Sequence, residues 1–137
     1  MNIIIDSNVL FSALIKDSLT RKLILEYDGF FLFPSYIFDE VEKHKHELMK
    51  KSRMIQKDFN TLLFIILRKV KIVDTNTLQD YNKEALEIIK DIDVNDAIFI
   101  ACALAYPNSV IWSDDRKLKK QSKIQIINTK EIKDILK

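Results

Sequence analysis

The stretch MNIIIDSNVLFSAL, residues 1–14, decides the fold. Its isoleucine run has no polar alternation. A strand that is apolar on both sides belongs in a parallel sheet covered on both faces. We therefore expect strand 1 over residues 2–5. The run stops on Asp6, and Ser7 and Asn8 lead into a short helix over residues 8–15. An acid directly after a buried strand is a turn residue or a site residue, and the rest of the chain decides which.

Working outward, strand and helix alternate. Thr20 is placed to cap a second helix, RKLILEY, that closes near Gly29. FFLF (30–33) is strand 2, and Pro34 and Ser35 start a third helix in which Ile37, Val41 and Leu48 share one stripe. FNTLLFIILRKV (59–70) gives a fourth helix, KIVD (71–74) strand 3 and YNKEALEIIK (81–90) a fifth helix. DAIFIACALAY (96–106) is almost wholly apolar, which marks a central buried helix ended at Pro107. VIW (110–112) is strand 4, RKLKKQ (116–121) a short helix, IQII (124–127) strand 5 and TKEIKDIL (129–136) a closing helix. This order predicts a three-layer α/β fold. Its five-stranded, mostly parallel sheet has strand 1 central and helices on both faces.

At 137 residues, 47% apolar and 31% charged, the chain is expected to form one domain over residues 1–137. Gly29 is the only glycine, so no glycine-rich phosphate loop or dinucleotide fingerprint can be built. His44 and His46 lie two apart in the charged stretch EVEKHKHELMKK, which does not make a zinc site. The single cysteine, Cys102, sits in an apolar helix and suits a reducing compartment. The longest apolar runs, such as TLLFIIL, are too short to cross a bilayer, and no basic segment precedes the first strand. A cytoplasmic location is the expectation.

The acids fall where parallel sheets bind ligands, beyond the carboxyl ends of the strands. Asp6 follows strand 1, and Asp114 and Asp115 follow strand 4 after Ser113. Asp93 and Asp96 stand at the start of the buried helix, with Asp93 either a ligand or a cap. Glu40 flanks the core-facing stripe of the third helix. Crowded carboxylates raise one another's pKa unless a cation neutralises them. Oxygen donors without histidine or cysteine suit Mg²⁺ or Mn²⁺, one or two ions, and such ions serve phosphodiester chemistry.

IIIDSNVLFSAL resembles the opening motif of the PIN domain family. PSYIFDEV resembles its second motif, with Glu40 in the glutamate place, and NDAIFIACALAY its third, with Asp96. VIWSDDRKL resembles the fourth, with Ser113 and Asp115 on the motif and Asp114 in its variable position. A one-residue shift in that turn exchanges the roles of Asp114 and Asp115. Nearly the whole chain is covered. The resemblance implies a metal-dependent nuclease, an endoribonuclease above all, either the toxin of a VapBC-type toxin–antitoxin pair or a free-standing enzyme. It implies that Asp6, Glu40, Asp96 and Asp115 hold the metal, helped by Asp93, and that Asn8 and Ser113 hydrogen-bond the ligating carboxylates. The products would carry 5′-phosphate and 3′-hydroxyl ends. A non-catalytic RNA- or protein-binding module on the same fold is the alternative, with a DNA-cleaving nuclease or an aspartyl phosphotransferase behind it.

A phosphate backbone needs a basic rim. The net charge is only +2, but the charges segregate, with KHKHELMKKSRMIQK and RKLKKQSK basic. The candidates for contact with nucleic acid are Arg21, Lys43, Lys45, Lys50, Lys51, Arg53, Arg116, Lys117, Lys119 and Lys120. An antitoxin partner follows from the resemblance alone. A homodimer is expected from the apolar segments FSALI, LILEY and FIIL.

Overall fold

The computed structural model describes residues 1–136; Lys137, the last residue of the expected domain, lies outside them. The chain runs β1 (Asn2–Ile5), α1 (Ser7–Ile15), α2 (Leu19–Glu26), β2 (Phe31–Pro34), α3 (Ile37–Ser52), α4 (Gln56–Leu67) and β3 (Val70–Val73). It continues through α5 (Gln79–Ile89), α6 (Ala97–Ala105), β4 (Ser109–Trp112), β5 (Gln125–Ile127) and α7 (Thr129–Ile135). Short 3-10 turns lie at Thr75–Leu78, Val94–Asp96 and Arg116–Lys120.

The five strands form one sheet in the order β3-β2-β1-β4-β5, with every pair parallel. β1 is central, as its unbroken isoleucines require. It pairs with β4 from Asn2 opposite Ser109 to Ile5 opposite Trp112. α5 and α6 pack together, and α6 lies against β1, β2 and β4. α1 packs on α2, α3 and α4. The core between these layers centres on fully buried Phe31, Phe33, Phe99 and Trp112. Phe33 meets Phe99 edge-on at 5.5 Å, and Phe31 meets Trp112 at 5.7 Å. Contacts of this kind add about 0.5–1.5 kcal/mol each beyond the area they bury.

The chain winds from β1 outward to β2 and β3, then returns to the other side of β1 for β4 and β5. The crevice at the carboxyl ends of β1 and β4 is therefore the switch point of the sheet, where open parallel sheets bind their ligands.

Several boundaries differ from expectation. Ser18, not Thr20, caps α2, accepting from the Arg21 amide at 3.3 Å, while Thr20 is buried. Strand 2 begins one residue later than FFLF suggests: Phe30 is exposed and carries Lys71 Nζ over its ring, while Pro34 pairs with Val73. α4 starts earlier and stops at Leu67, because Arg68 and Lys69 turn the chain and free Val70 to pair with Phe31. A Cβ at Gly29 would come within 2.8 Å of the Tyr27 ring and displace its outer edge. Among the described residues no helix is long and apolar enough to cross a membrane.

Candidate metal centre

Asp6 is both turn residue and site residue. Its backbone amide continues the β1–β4 ladder by donating to the Trp112 carbonyl at 3.2 Å. Its Oδ1 caps α1 by accepting from the Val9 amide at 2.9 Å. The Ser113 hydroxyl also hydrogen-bonds its carboxylate. With only 4% of its surface exposed, Asp6 has its pKa pushed up to about 6, chiefly by desolvation. The hydrogen bonds from Ser113 and Val9 oppose that rise, and the charges of Asp114 and Asp115 add to it.

Asp93, Asp96 and Asp115 converge beside it. Each offers one carboxylate oxygen, and these oxygens lie within 4.8 Å of one another. Asp93 caps the turn before α6 by accepting from the Asn95 amide at 3.0 Å, and its Oδ2 lies 3.7 Å from Lys117 Nζ. Asp115 caps the turn after β4, accepting from the Lys117 amide at 3.0 Å, while its own amide donates to Ser113 Oγ. Ser113 thus ties Asp115 to Asp6. Asp96 makes no capping hydrogen bond and has its pKa raised to about 6. Burial is the main cause, followed by repulsion from Asp93, Asp6 and Asp115, against a smaller pull from Lys117.

Half-buried acids held this close, with one lysine nearby, are a frustrated arrangement until a cation enters. The donors are all hard oxygens, which fits a divalent cation of the Mg²⁺ class. A cation held there would polarise a phosphodiester and activate a water to attack it.

The other expected residues divide. Glu40 lines the cavity of about 960 Å³ that also contains Asp6 and Asp96, and its Oε2 lies 3.3 Å from His44 Nε2. Asn8 is exposed on the same cavity and makes no side-chain hydrogen bond among the described residues, unlike Ser113. Asp114 turns away from the trio. Its Oδ1 accepts from the Thr129 amide at 2.7 Å and its Oδ2 from Thr129 Oγ1 at 2.6 Å, so it anchors α7 and leaves the cluster to Asp115.

Of the expected basic rim, Lys43 and Lys51 line the cavity with Glu40, and Lys51 pairs with Glu47 at 2.8 Å. Lys45, Lys50 and Arg53 lie on or just beyond α3, outside that lining. Arg116 and Lys119 line a second cavity on the other side of Asp115, and Lys117 leans on Asp93. Lys120 is exposed beside them. Arg21 is not on the rim: its Nε donates to the Ala13 carbonyl at 2.7 Å, and its Nη2 is buried, fastening α2 to α1.

Two residues missed in the sequence stand on the cavity wall, Ser7 and Tyr36, whose hydroxyls share a hydrogen bond of 2.9 Å. Tyr36 sits close enough to Glu40, Asp96 and Asp6 to feel their charges, and burial above all raises its pKa to about 12. The signal was its place in PSYIFDEV, four residues before Glu40.

No curated protein matches this sequence. Among solved structures, the fold is similar to a chain in the crystal structure of VapBC2 from Rickettsia felis bound to a DNA fragment from their promoter. The TM-score is 0.70, with 18% sequence identity over 93% of this chain and 98% of that one. That likeness concerns the fold alone. The sequence profile of the PIN domain matches residues 4–136, a span that takes in the end of β1, the other four strands and every acid of the centre. By that match the chain belongs to the PIN domain family.

Proposed function

We propose that the chain is an endoribonuclease that hydrolyses phosphodiester bonds with Mg²⁺ or Mn²⁺ held by Asp93, Asp96 and Asp115, with Asp6 behind them and Glu40 on the same cavity. The carrying observation is the convergence of the three carboxylates within 4.8 Å at the switch point of a parallel sheet. When bound, the cation supplies Lewis acidity to the phosphate and lowers the pKa of its water. The protein does the positioning. Ser113 fixes the Asp6 carboxylate and the Asp115 backbone in one stroke, the kind of support that sets the aim of ligating groups. Capping bonds hold Oδ1 of Asp93 and of Asp115, while Oδ2 of Asp93 lies near Lys117 Nζ and Asp115 keeps one oxygen without a capping bond. Asp96, with no such bond, is the least committed donor and the best probe of the site.

The deciding experiment incubates the protein with labelled single-stranded RNA, structured RNA and matching DNA, with Mn²⁺, Mg²⁺ or chelator, beside Asp96→Asn. Cleavage of RNA only with metal, lost in the variant, is expected. Cleavage in excess chelator defeats the metal mechanism. RNA binding without cleavage under any metal makes the chain a binding module, and equal cleavage of DNA removes the restriction to RNA.

Family membership and the fold shared with VapBC2 of Rickettsia felis support an antitoxin-type protein partner. Co-purification with the product of an adjacent small gene tests it. Phe38, Ile55, Phe64 and Ile65 remain exposed on and beside α3 and α4 and support self-association, which sedimentation measures. Cytoplasmic residence completes this reading, in keeping with the free, buried thiol of Cys102.

A further inference from the structure

The second cavity, about 780 Å³, lies between the turn after β4 and α7. Its walls carry Arg116, Lys119, Lys130 and Lys133. Lys119 is paired with Glu131, whereas Arg116, Lys130 and Lys133 have no acidic partner among the described residues. Of the two acids in the cleft, Asp114 has both oxygens committed to Thr129, and Asp115 belongs to the carboxylate trio. Four cations thus face the two carboxylates of Asp114 and Asp115, and the cleft keeps a net positive lining that meets the metal centre at Asp115.

We propose that this cleft binds the sugar–phosphate backbone of the RNA strand next to the phosphate being cut, so that the strand passes from the carboxylates onto α7. The inference rests on the nuclease reading and names where its substrate lies. Lys130 and Lys133 stand three apart on α7 and project from neighbouring positions. The only large apolar side chain in the lining is Leu19, and no aromatic ring is offered to a base. The cleft accordingly grips phosphates and leaves the bases unread. A polymer with one phosphate at the trio must carry its neighbours past Asp115, which favours a nucleic-acid strand over an acidic polypeptide. Asp114 acts here as a positioning residue. With Thr129 Oγ1 also accepting from Trp112 Nε1 at 2.9 Å, it pins the start of α7 to the end of β4.

The test is metal-free binding, measured by anisotropy of fluorescein-labelled single-stranded RNA in chelator. Lys130→Glu/Lys133→Glu should weaken binding about tenfold or more and reduce the slope of log affinity against log salt by about 1.4, two phosphate contacts on a single strand. The loss should be alike for two RNAs of different base composition. The milder Lys130→Gln/Lys133→Gln pair should show a smaller loss in the same direction, and calorimetric Mn²⁺ binding should be unchanged in both. Wild-type affinity in the charge-reversed chain overturns the inference, as does a wild-type chain that binds no RNA. Polyglutamate displacing RNA as effectively as unlabelled RNA also overturns it, in favour of an acidic protein segment. Binding that falls as stated while no RNA is ever cut upholds the cleft and sinks the nuclease reading. Intact cleavage and binding in the lysine variants does the reverse.

Discussion

The cavities on either side of Asp115 are built from similar residues and reach opposite electrostatic states. In the first, Lys51 is paired with Glu47 and His44 lies against Glu40 and Glu47, which leaves Lys43 as the one lysine of that lining outside an ion pair among the described residues. Asp6 and Asp96 make no ion pair among the described residues, and both carboxyls are pushed up to about 6. In the second, Asp114 is held by Thr129, and the four cations Arg116, Lys119, Lys130 and Lys133 outnumber the two acids of the lining. Adjacent residues in one turn, Asp114 and Asp115, serve the two sides. One side presents three convergent carboxylates, and the other a surplus of cations.

The contrast breaks most completely at Asp96. Asp96→Asn should reduce metal-dependent RNA cleavage to background in a gel assay while the metal-free fold is retained. A structural role for this acid would instead show as lost stability in chelator.

Asp6 sharpens it by pH. Its pKa is higher in the folded chain, about 6, than the 3.8 of an unperturbed aspartate. Its stabilising share is therefore present in full below about pH 4 and lost as pH rises through 6. For Asp6 alone that loss is roughly 2–3 kcal/mol. In chelator, Asp6→Asn should be more stable than wild type by up to that amount at pH 7 and indistinguishable from it near pH 4, by urea denaturation. Saturating Mn²⁺ should raise wild-type stability and do far less for the variant.

Asp114 tests the other side. Asp114→Ala removes two hydrogen bonds from Thr129 and should cost about 1–2 kcal/mol, lowered by solvent exposure, with Mn²⁺ binding intact. Loss of Mn²⁺ binding would move Asp114 into the metal centre. The smallest effect is expected at Tyr36→Phe. It keeps the ring contacts with Phe33 and Phe99 but drops the hydroxyl bond to Ser7, for about 0.5–1 kcal/mol in thermal unfolding.

The central place of β1 and the edge on which the acids gather were legible because both follow from the apolar pattern of the chain. β1 is uninterrupted isoleucine, α6 is apolar all round, and a parallel sheet brings the residues after β1 and β4 to one edge. The direction in which a side chain leaves a turn was not legible. Asp114 and Asp115 differ only in how the chain bends after Ser113, and Thr129, fifteen positions downstream of Asp114, decides it. Arg21 reads as a surface cation until the Ala13 carbonyl at the end of α1 claims it. Ser18 and Thr20 are both competent caps, and Thr20 was needed in the core. Lys130 and Lys133 gain meaning only once α7 is folded back beside β4.

The pairing of β1 with β4 joins Asn2 to Ser109, nearly the full length of the chain. Contacts of such separation form late in folding because a long loop must first be closed. During synthesis, Asp6 leaves the ribosome early and waits for Asp93, Asp96 and Asp115 to emerge, with β4 and β5 needed to seat the last of them. An incomplete chain ending before Ser109 has lost both the strand and Asp115, so the carboxylate trio is completed only after β4 has been made.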